Sequence, residues 1–147
     1  MTLVHHLILA TSLVAGTVIF HLAGLSVLLA LLRQHRRNSR KERVIFDVAA
    51  VLIAAFGLFS LHTVEIWAWA AAYHLLNLLP GWEEAIYFST TTYVTIGYGD
   101  VVLDRGGRLF GAIEGANGII LLGWSTAFFF KIVDRLKLLE RDIERRD

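Results

Sequence analysis

The chain has 147 residues, of which 56% are hydrophobic, and its formal net charge is +1. Soluble domains contain about 45–50% apolar residues, so this composition favours a membrane protein over a soluble helical domain that would have to bury several long apolar runs at once. The balanced charge gives no indication of a nucleic-acid partner, and the absence of cysteine excludes disulfides, cysteine zinc sites, iron–sulfur clusters and thiol nucleophiles.

The first long apolar run extends from Leu3 to Leu32. It is longer than the roughly 20 residues that cross the hydrocarbon core of a bilayer, so we expect a transmembrane helix within residues 1–32. The alternative is a secretory signal peptide, which needs a basic leading region and an apolar core of roughly 7–15 residues. No Lys or Arg precedes Arg33, and a retained helix is therefore the favoured interpretation.

A basic loop follows at residues 33–43 and holds six of the fourteen Lys and Arg residues. Basic residues in short loops between spans mark the cytoplasmic side of a membrane. Such a run can also bind nucleic acid or anionic lipid. Its position between two apolar runs favours the topological interpretation, with membrane lipid but no nucleic acid as a partner.

The second span is predicted over Val44–Leu61, and the segment then continues, apolar but punctuated, to Leu79. A single helix from the start of the span to Leu79 would measure about 54 Å, well beyond the hydrocarbon thickness of about 30 Å. We therefore expect it to emerge from the bilayer or to bend, with Trp67, Trp69 and Tyr73 in an interfacial aromatic belt. Pro80 and Gly81 end this segment.

A short helix is predicted over residues 82–93, with Glu83 and Glu84 in its first turn, where carboxylates favour the helix dipole. Residues 91–100 follow, and they are too polar and too rich in glycine to be a span. Irregular backbone at membrane depth survives only where it is buried in protein or lines a water-filled path. The pattern therefore predicts a helix that re-enters the membrane and hands over to a functional loop.

The third span is predicted over residues 109–133 and is followed by a short charged tail at residues 134–147. Another six basic residues lie from Lys131 onward. Placing both basic clusters in the cytoplasm predicts a multi-pass cell-membrane protein with its N-terminus outside and its C-terminus inside.

The loop carries the sequence Thr95-Ile96-Gly97-Tyr98-Gly99, followed by Asp100. It resembles the selectivity filter of tetrameric potassium channels, written T-[VI]-G-Y-G-D. The resemblance covers roughly residues 44–133 and implies an outer helix, a pore helix at 82–93, a filter at 95–100 and an inner helix at 109–133. The chain is thus similar to small prokaryotic pore-loop channels with an extra N-terminal helix. The implied fold is an all-α membrane protein, with three transmembrane helices plus a re-entrant pore helix and filter, assembled as a tetramer.

The resemblance implies that each subunit supplies a quarter of every potassium-binding ring, so three identical subunits are expected as partners. Potassium in the filter is the only bound ion or cofactor expected. The backbone of residues 95–99, with the Thr95 hydroxyl, would replace the water around the ion. Glycine suits positions 97 and 99 because inward-pointing carbonyls demand angles that a Cβ resists. Ile96 and Tyr98 are expected to point away from the axis and to pack against the pore helix.

Four residues are candidates for support of the filter. Asp100 matches the aspartate that follows the family's filter, and Tyr87 stands where an aromatic reaches that aspartate by a hydrogen bond. Thr91 stands where some bacterial members carry a glutamate, so this chain departs from the pattern there. Glu114 is ionisable within a span, which is costly, and we expect it to brace either the rear of the filter or the pore helix.

The inner helix carries the remaining candidates. Alignment with the family on Gly107-Arg108 places Gly118 at a hinge and Gly123 at a second glycine below it, although close helix packing through small residues explains both equally well. Phe130 is a candidate for a hydrophobic gate or for ordinary packing. The predicted cavity-lining residues are Asn117, Ile119, Leu122 and Thr126, with a hydrogen bond across helices as the alternative for Asn117.

The sequence leaves three alternatives to a potassium-selective channel. A weakly selective cation channel would share the fold, and a silent subunit would need a complete partner. A membrane-embedded metal or hydrolytic enzyme would use His62, Glu65 and Glu114, but these residues form no triad or full ligand set and leave the filter motif unexplained. His62 and Glu65, three residues apart, are either two metal ligands without a third or a hydrogen-bonded pair. We predict a channel and not an enzyme.

Overall fold

The structure is a computed structural model of one chain, and it describes residues 3–38 and 43–144, with side chains described for 3–34 and 48–134. Within these residues all regular structure is helical. The four helices are α1 (Leu3–Asn38), α2 (Arg43–Leu75), α3 (Trp82–Tyr93) and α4 (Arg108–Glu144). Three of them contain segments long and apolar enough to cross a membrane, namely Leu3–Gln34, Val48–Leu75 and Arg108–Asp134. The expected all-α membrane fold with three spans is confirmed.

Two helices are longer than the sequence indicated. α1 continues to Asn38, through the first part of the basic loop, and α4 continues to Glu144. The charged tail expected from residue 134 continues α4 as far as Glu144, because no glycine or proline after Gly123 interrupts the helix. Residues 39–42 of the basic loop and the last three residues lie outside the described part of the chain.

The turn between α2 and α3 ends one helix and starts the next. Asn77 has a positive φ of 54°, a conformation common just beyond a helix C-terminus. The Leu78 amide donates back to the Tyr73 carbonyl at 2.9 Å, which closes the last turn of α2. Gly81 then precedes α3, which occupies the range predicted for the pore helix.

A glycine on each helix allows α1 and α2 to pack closely. A Cβ at Gly24 of α1 would overlap the side chain of Leu61 of α2, and a Cβ at Gly57 of α2 would meet Leu28 of α1. Lipid tails are as apolar as leucine, so helices in a bilayer associate through close packing and hydrogen bonds. The two glycines therefore fix the register of α1 on α2.

The interior of the chain is an aromatic core where α2 and α4 meet. Phe110 makes edge contacts with Trp69 and Tyr73, with ring centroids 5.2 Å and 5.4 Å apart, and all three side chains are buried. By contrast, Phe56 and Phe59 on the outer side of α2 are 69% and 72% exposed, as lipid-facing residues should be. Trp69 and Tyr73 are thus core residues instead of the interfacial ones that the sequence suggested.

Candidate functional site

The loop after α3 has an alternating backbone. Thr95, Gly97 and Gly99 have positive φ angles of 60°, 52° and 80°, whereas Ile96 and Tyr98 between them do not. In a regular strand successive peptide groups face opposite ways. Alternation of the sign of φ turns successive carbonyl groups toward the same side. The loop can therefore present a row of carbonyl oxygens along one edge.

Thr95 carries the conformational strain of this loop. A positive φ is unusual for a β-branched residue and costs about 1–3 kcal/mol. Backbone hydrogen bonds hold it in place: the Thr95 amide donates to the Thr92 carbonyl at 3.0 Å, and the amides of Ile96 and Gly97 both donate to the Thr91 carbonyl at 2.9 and 3.0 Å. The end of α3 thus determines the path of the loop.

Thr91 supports the loop through its main chain. Its carbonyl accepts the two loop amides, whereas its hydroxyl donates back within α3 to the carbonyls of Tyr87 and Phe88, both at 3.1 Å. The side chain that replaces the glutamate of some bacterial channels therefore makes only local contacts. At this position the contact with the loop is made by the Thr91 carbonyl and not by its side chain.

Tyr87 and Asp100 connect α3 to the far end of the loop. The Tyr87 hydroxyl donates to the Asp100 carboxylate at 2.6 Å. This hydrogen bond lowers the pKa of Asp100 below its ordinary value of 3.8, because it stabilises the ionised form. This hydrogen bond therefore attaches the far end of the loop to α3.

Ile96 and Tyr98, which were expected to pack against the pore helix, are largely uncovered in the single chain. Their side chains are 54% and 71% exposed. Beside them, between the loop, α3 and the start of α4, lies an open groove of about 460 Å³ whose lining includes Thr92, Leu103 and Gly111. One chain therefore leaves both the loop side chains and the groove behind them uncovered.

A buried carboxylate links three helices behind α3. Glu114 of α4 is fully buried. It accepts a hydrogen bond from Tyr73 of α2 at 2.6 Å and another from Ser89 of α3. We call these three residues the Glu114 cluster. Glu114 was expected to brace either the rear of the filter or the pore helix. Its hydrogen bond from Ser89 connects it to the short helix α3 and not to the loop.

A second buried carboxylate joins all four helices. Glu65 of α2 lies 2.9 Å from Nδ1 of His21 in α1 and 3.1 Å from Nδ1 of His62 in α2, and it accepts the hydroxyl of Tyr93 at the end of α3. Ser125 of α4 contacts the Nε2 atoms of His62 at 2.9 Å and of His21 at 3.3 Å. These five residues form the Glu65 cluster.

Sequence reasoning identified His62 and Glu65 of this cluster as a pair and considered His21 only as a possible pH sensor or a residue in the headgroups or a helix contact. It did not join His21, Tyr93 or Ser125 to that pair. A usable signal was available, because polar residues in the middle of apolar spans usually find partners inside the protein. His62, Glu65 and Glu114 fall in two separate hydrogen-bonded clusters, so the described contacts do not join them into one enzyme site.

Gly118 and Asn117 face the interior of the chain. A Cβ at Gly118 would collide with the carbonyl of Tyr93, so this glycine allows α4 to pack against the end of α3. The amide of Asn117 donates to Thr17 of α1 at 2.9 Å, and Asn117 is only 3% exposed. The prediction that Asn117 lines the cavity is therefore corrected, because its side chain lies between helices, which was the alternative.

An open face of α4 carries most of the other inner-helix candidates. At 100° per residue, positions 119, 123, 126 and 130 fall on one side of a helix, and all four are exposed in the single chain: Ile119, Gly123, Thr126 and Phe130. Nothing lies within 4 Å of a Cβ at Gly123. Leu122 is half-buried against the core and so stands at the edge of this face.

The comparisons with known proteins agree with this arrangement. Residues 48–135, more than half of the chain, match the model of a protein family described as "Ion channel". The matched segment contains most of α2, all of α3, the loop and the first part of α4, and it leaves α1 outside. No curated protein and no solved structure matches the chain.

Proposed function

The chain belongs to this family of two-span pore-loop ion channels, and on that premise we propose that it is a potassium-selective channel of the cell membrane. The observation that carries the proposal is the alternating φ of residues 95–99 within the run Thr-Ile-Gly-Tyr-Gly. A potassium ion leaves water only where other oxygens replace its hydration shell, and rows of carbonyls from several subunits do so. This loop has the backbone to provide one such row.

The proposed conduction mechanism relies on stacked rings of oxygen atoms. Carbonyls of residues 95–99 and the Thr95 hydroxyl would surround dehydrated potassium at several adjacent levels. Ions in neighbouring levels repel one another, so entry of one promotes exit of another. The C-terminal end of α3, next to the loop, adds partial negative charge that favours a cation. Selective conduction then needs no group other than backbone and hydroxyl oxygens.

We propose a homotetramer, in which four copies complete each ring. Tyr98 and Ile96 are exposed, and a groove opens beside them. Large exposed apolar side chains next to an open groove are typical of an interaction surface. In the tetramer the loop side chains of one subunit would lie against the neighbouring subunit.

The open face of α4 is the proposed wall of the inner cavity. Ile119 and Thr126 would face the water below the filter, with Leu122 at the edge. Phe130 stands further along the same face and is the proposed gate. Gly123 on this face is unpacked within the chain and is a better hinge candidate than the closely packed Gly118.

The proposed orientation follows from charge. Twelve of the fourteen Lys and Arg residues lie in the two clusters at 33–43 and from Lys131 onward. Two transits of the membrane separate these clusters along the chain. Both therefore lie on one side, which the positive-inside tendency assigns to the cytoplasm. The N-terminus and the loop between α2 and α3 then face outward.

Reconstitution of the purified protein in planar bilayers tests the proposal. With potassium on one side and sodium on the other, we expect a reversal potential far from zero, with the sign set by permeation of potassium alone. A Gly97→Ala variant is the control, since a Cβ at a φ of 52° disturbs the carbonyl row. A reversal potential near zero for the wild type would indicate the weakly selective channel instead.

A further inference from the structure

The two imidazoles of the Glu65 cluster are oriented in the same way. They come from different helices, yet each turns Nδ1 toward the same carboxylate, at 2.9 and 3.1 Å. Each also turns Nε2 toward the same hydroxyl, that of Ser125, at 3.3 and 2.9 Å. One carboxylate thus faces both Nδ1 atoms and one hydroxyl faces both Nε2 atoms.

A count of hydrogens shows how an additional positive charge would fit this arrangement. A neutral imidazole has one N–H donor and one acceptor nitrogen. If both rings donate from Nδ1 to Glu65, both Nε2 atoms become acceptors, and the single hydroxyl hydrogen of Ser125 can satisfy only one of them. In those tautomers one buried Nε2 atom faces an oxygen lone pair. The other neutral tautomer of His62 donates from Nε2 to Ser125 and accepts from the Tyr93 hydroxyl at Nδ1. That Nδ1 atom then lies unprotonated 3.1 Å from a Glu65 oxygen. A cation beside the two Nδ1 atoms would instead let both of them and the carboxylate face positive charge.

We infer that the Glu65 cluster is a binding site for a divalent transition-metal ion such as Zn²⁺, with His21, His62 and Glu65 as ligands. A metal ion on the two Nδ1 atoms leaves hydrogen on both Nε2 atoms. The two lone pairs of the Ser125 hydroxyl can then accept both. Metal-bound histidines almost always donate their second nitrogen in this way, which fixes the ring orientation.

The distances suit a tetrahedral ion. Zinc bonds of about 2.0–2.2 Å place neighbouring ligand atoms about 3.3–3.6 Å apart. One candidate ligand atom from each of His21, His62 and Glu65 lies within 4.8 Å of the others. The Nδ1 atom of His21 is 2.9 Å from Oε1 of Glu65 and that of His62 is 3.1 Å from Oε2, so the ligands would have to move apart by about 0.2–0.7 Å around the ion. The Tyr93 hydroxyl lies 3.0 Å from Nδ1 of His62, where it can provide the fourth ligand.

The chemistry of the ligands selects the class of metal. Two imidazoles and one carboxylate form a common zinc ligand set, whereas Mg²⁺ and Ca²⁺ prefer ligand sets made only of oxygen. The side chains of His21 and Glu65 are fully buried, and that of His62 is 12% exposed. A carboxylate buried at membrane depth is costly without a partner charge. The metal would supply this charge. It would enter from the side of His62, because His62 is the partly exposed member of the three proposed ligands.

The site would have a consequence beyond ion conduction. His21 belongs to α1, which lies outside the matched channel segment, and Tyr93 is the last residue of α3 before the loop. A bound metal would therefore join the additional helix to the end of the helix that shapes the filter. This inference does not depend on potassium selectivity, because it concerns metal binding by the folded chain.

Metal binding is tested with the full chain, purified without a polyhistidine tag, stripped with a chelator and titrated with Zn²⁺ alone. We expect about one Zn²⁺ per chain. Ser125→Ala should weaken binding about 10- to 100-fold, the usual effect of losing a partner of a metal-bound histidine, and His21→Gln should weaken it further. His5→Gln and His74→Gln are matched controls, because neither belongs to the cluster, and both should bind as the wild type does.

X-ray absorption at the zinc edge of the loaded wild type provides a measurement that needs no variant. Two imidazoles with oxygen ligands at about 2.0–2.2 Å are expected. The inference is overturned if the folded wild type takes up no stoichiometric Zn²⁺, or if the ion has an all-oxygen shell. It is also overturned if the His5 or His74 variant loses binding while a folded His21→Gln protein retains it. A protonated histidine would then be the cation of the cluster.

Discussion

Two buried carboxylates lie near α3 and the loop that follows it, and their partners differ in kind. Glu114 accepts only hydroxyl groups, from Tyr73 and Ser89. Glu65 is faced by two imidazoles as well as one hydroxyl. Hydroxyls fix a carboxyl group in place without supplying charge, whereas imidazoles can carry a proton or bind a metal. The Glu114 cluster is therefore suited to bracing, and the Glu65 cluster can also hold a cation.

Removal of the Glu114 carboxylate should have the largest effect. Glu114→Ala leaves the buried Tyr73 hydroxyl without its acceptor, at a cost of about 1–3 kcal/mol. It also removes the bond that ties Ser89 of α3 to α4, although the Ser89 hydroxyl keeps the Ile66 carbonyl at 2.8 Å. We expect a marked loss of assembly stability, measured by thermal unfolding in detergent, with unchanged selectivity in the channels that remain. Glu83→Ala, which removes an exposed carboxylate of α3, is the control. Unaltered stability together with a new pH dependence of opening would contradict a bracing role.

The contact of Tyr93 with α4 gives the next prediction. Gly118→Ala puts a methyl group against the Tyr93 carbonyl, and overpacking of this kind costs about 1–3 kcal/mol. Because Tyr93 belongs to the Glu65 cluster, we expect this variant to lose stability and, if the inferred site exists, to bind Zn²⁺ more weakly. Gly123→Ala should leave both properties unchanged within the chain. Equal effects of the two variants would show that the contact at Gly118 is unimportant.

A matched pair of tyrosine variants compares the two clusters directly. Tyr73→Phe and Tyr93→Phe each remove one hydroxyl from one buried carboxylate, so we expect both to lower the free energy of unfolding by about 1 kcal/mol. Tyr93 directly precedes the filter loop, and only its variant should also alter the potassium-to-sodium permeability ratio in bilayer recordings. The comparison fails if Tyr73→Phe alters that ratio to the same extent.

The smallest effect is expected at the exposed carboxylate of Asp100. Its hydrogen bond from Tyr87 lowers its pKa in the folded protein. This stabilisation is present above the ordinary value and is lost as the pH falls through the lowered one. Tyr87→Phe should therefore reduce filter stability slightly at neutral pH and make no difference in strong acid, as measured by unfolding across an acid titration. A difference in stability between Tyr87→Phe and the wild type that grows toward low pH would contradict this prediction.

Features that depend on local pattern could be predicted from the sequence. Apolar runs gave the three spans, Pro80 and Gly81 marked the start of α3, and the filter motif located the loop. The partners of the buried polar groups could not be predicted in this way, because they are remote in the chain. His21 contacts Glu65 across 44 residues, and Asn117 contacts Thr17 across 100. Periodicity does not show which helices are neighbours.

One error has a clear physical origin. The inner-helix residues were aligned with a two-span pattern that lacks α1, so the partner of Asn117 was absent from the comparison and the residue was assigned to the cavity. The packing of Ile96 and Tyr98 against a pore helix stays a prediction, because both side chains are exposed in one chain.

The hydrogen bonds from α1 have a consequence for the order of events during membrane insertion. Helix α1 is synthesised first, so Thr17 and His21 are available before Glu65 and Asn117 leave the ribosome. An isolated ionisable side chain in a span opposes its partition into lipid. A partner helix already in the bilayer reduces that cost for each later span. The additional helix would thus act as an internal insertion aid, and a chain without it would integrate α2 and α4 less efficiently.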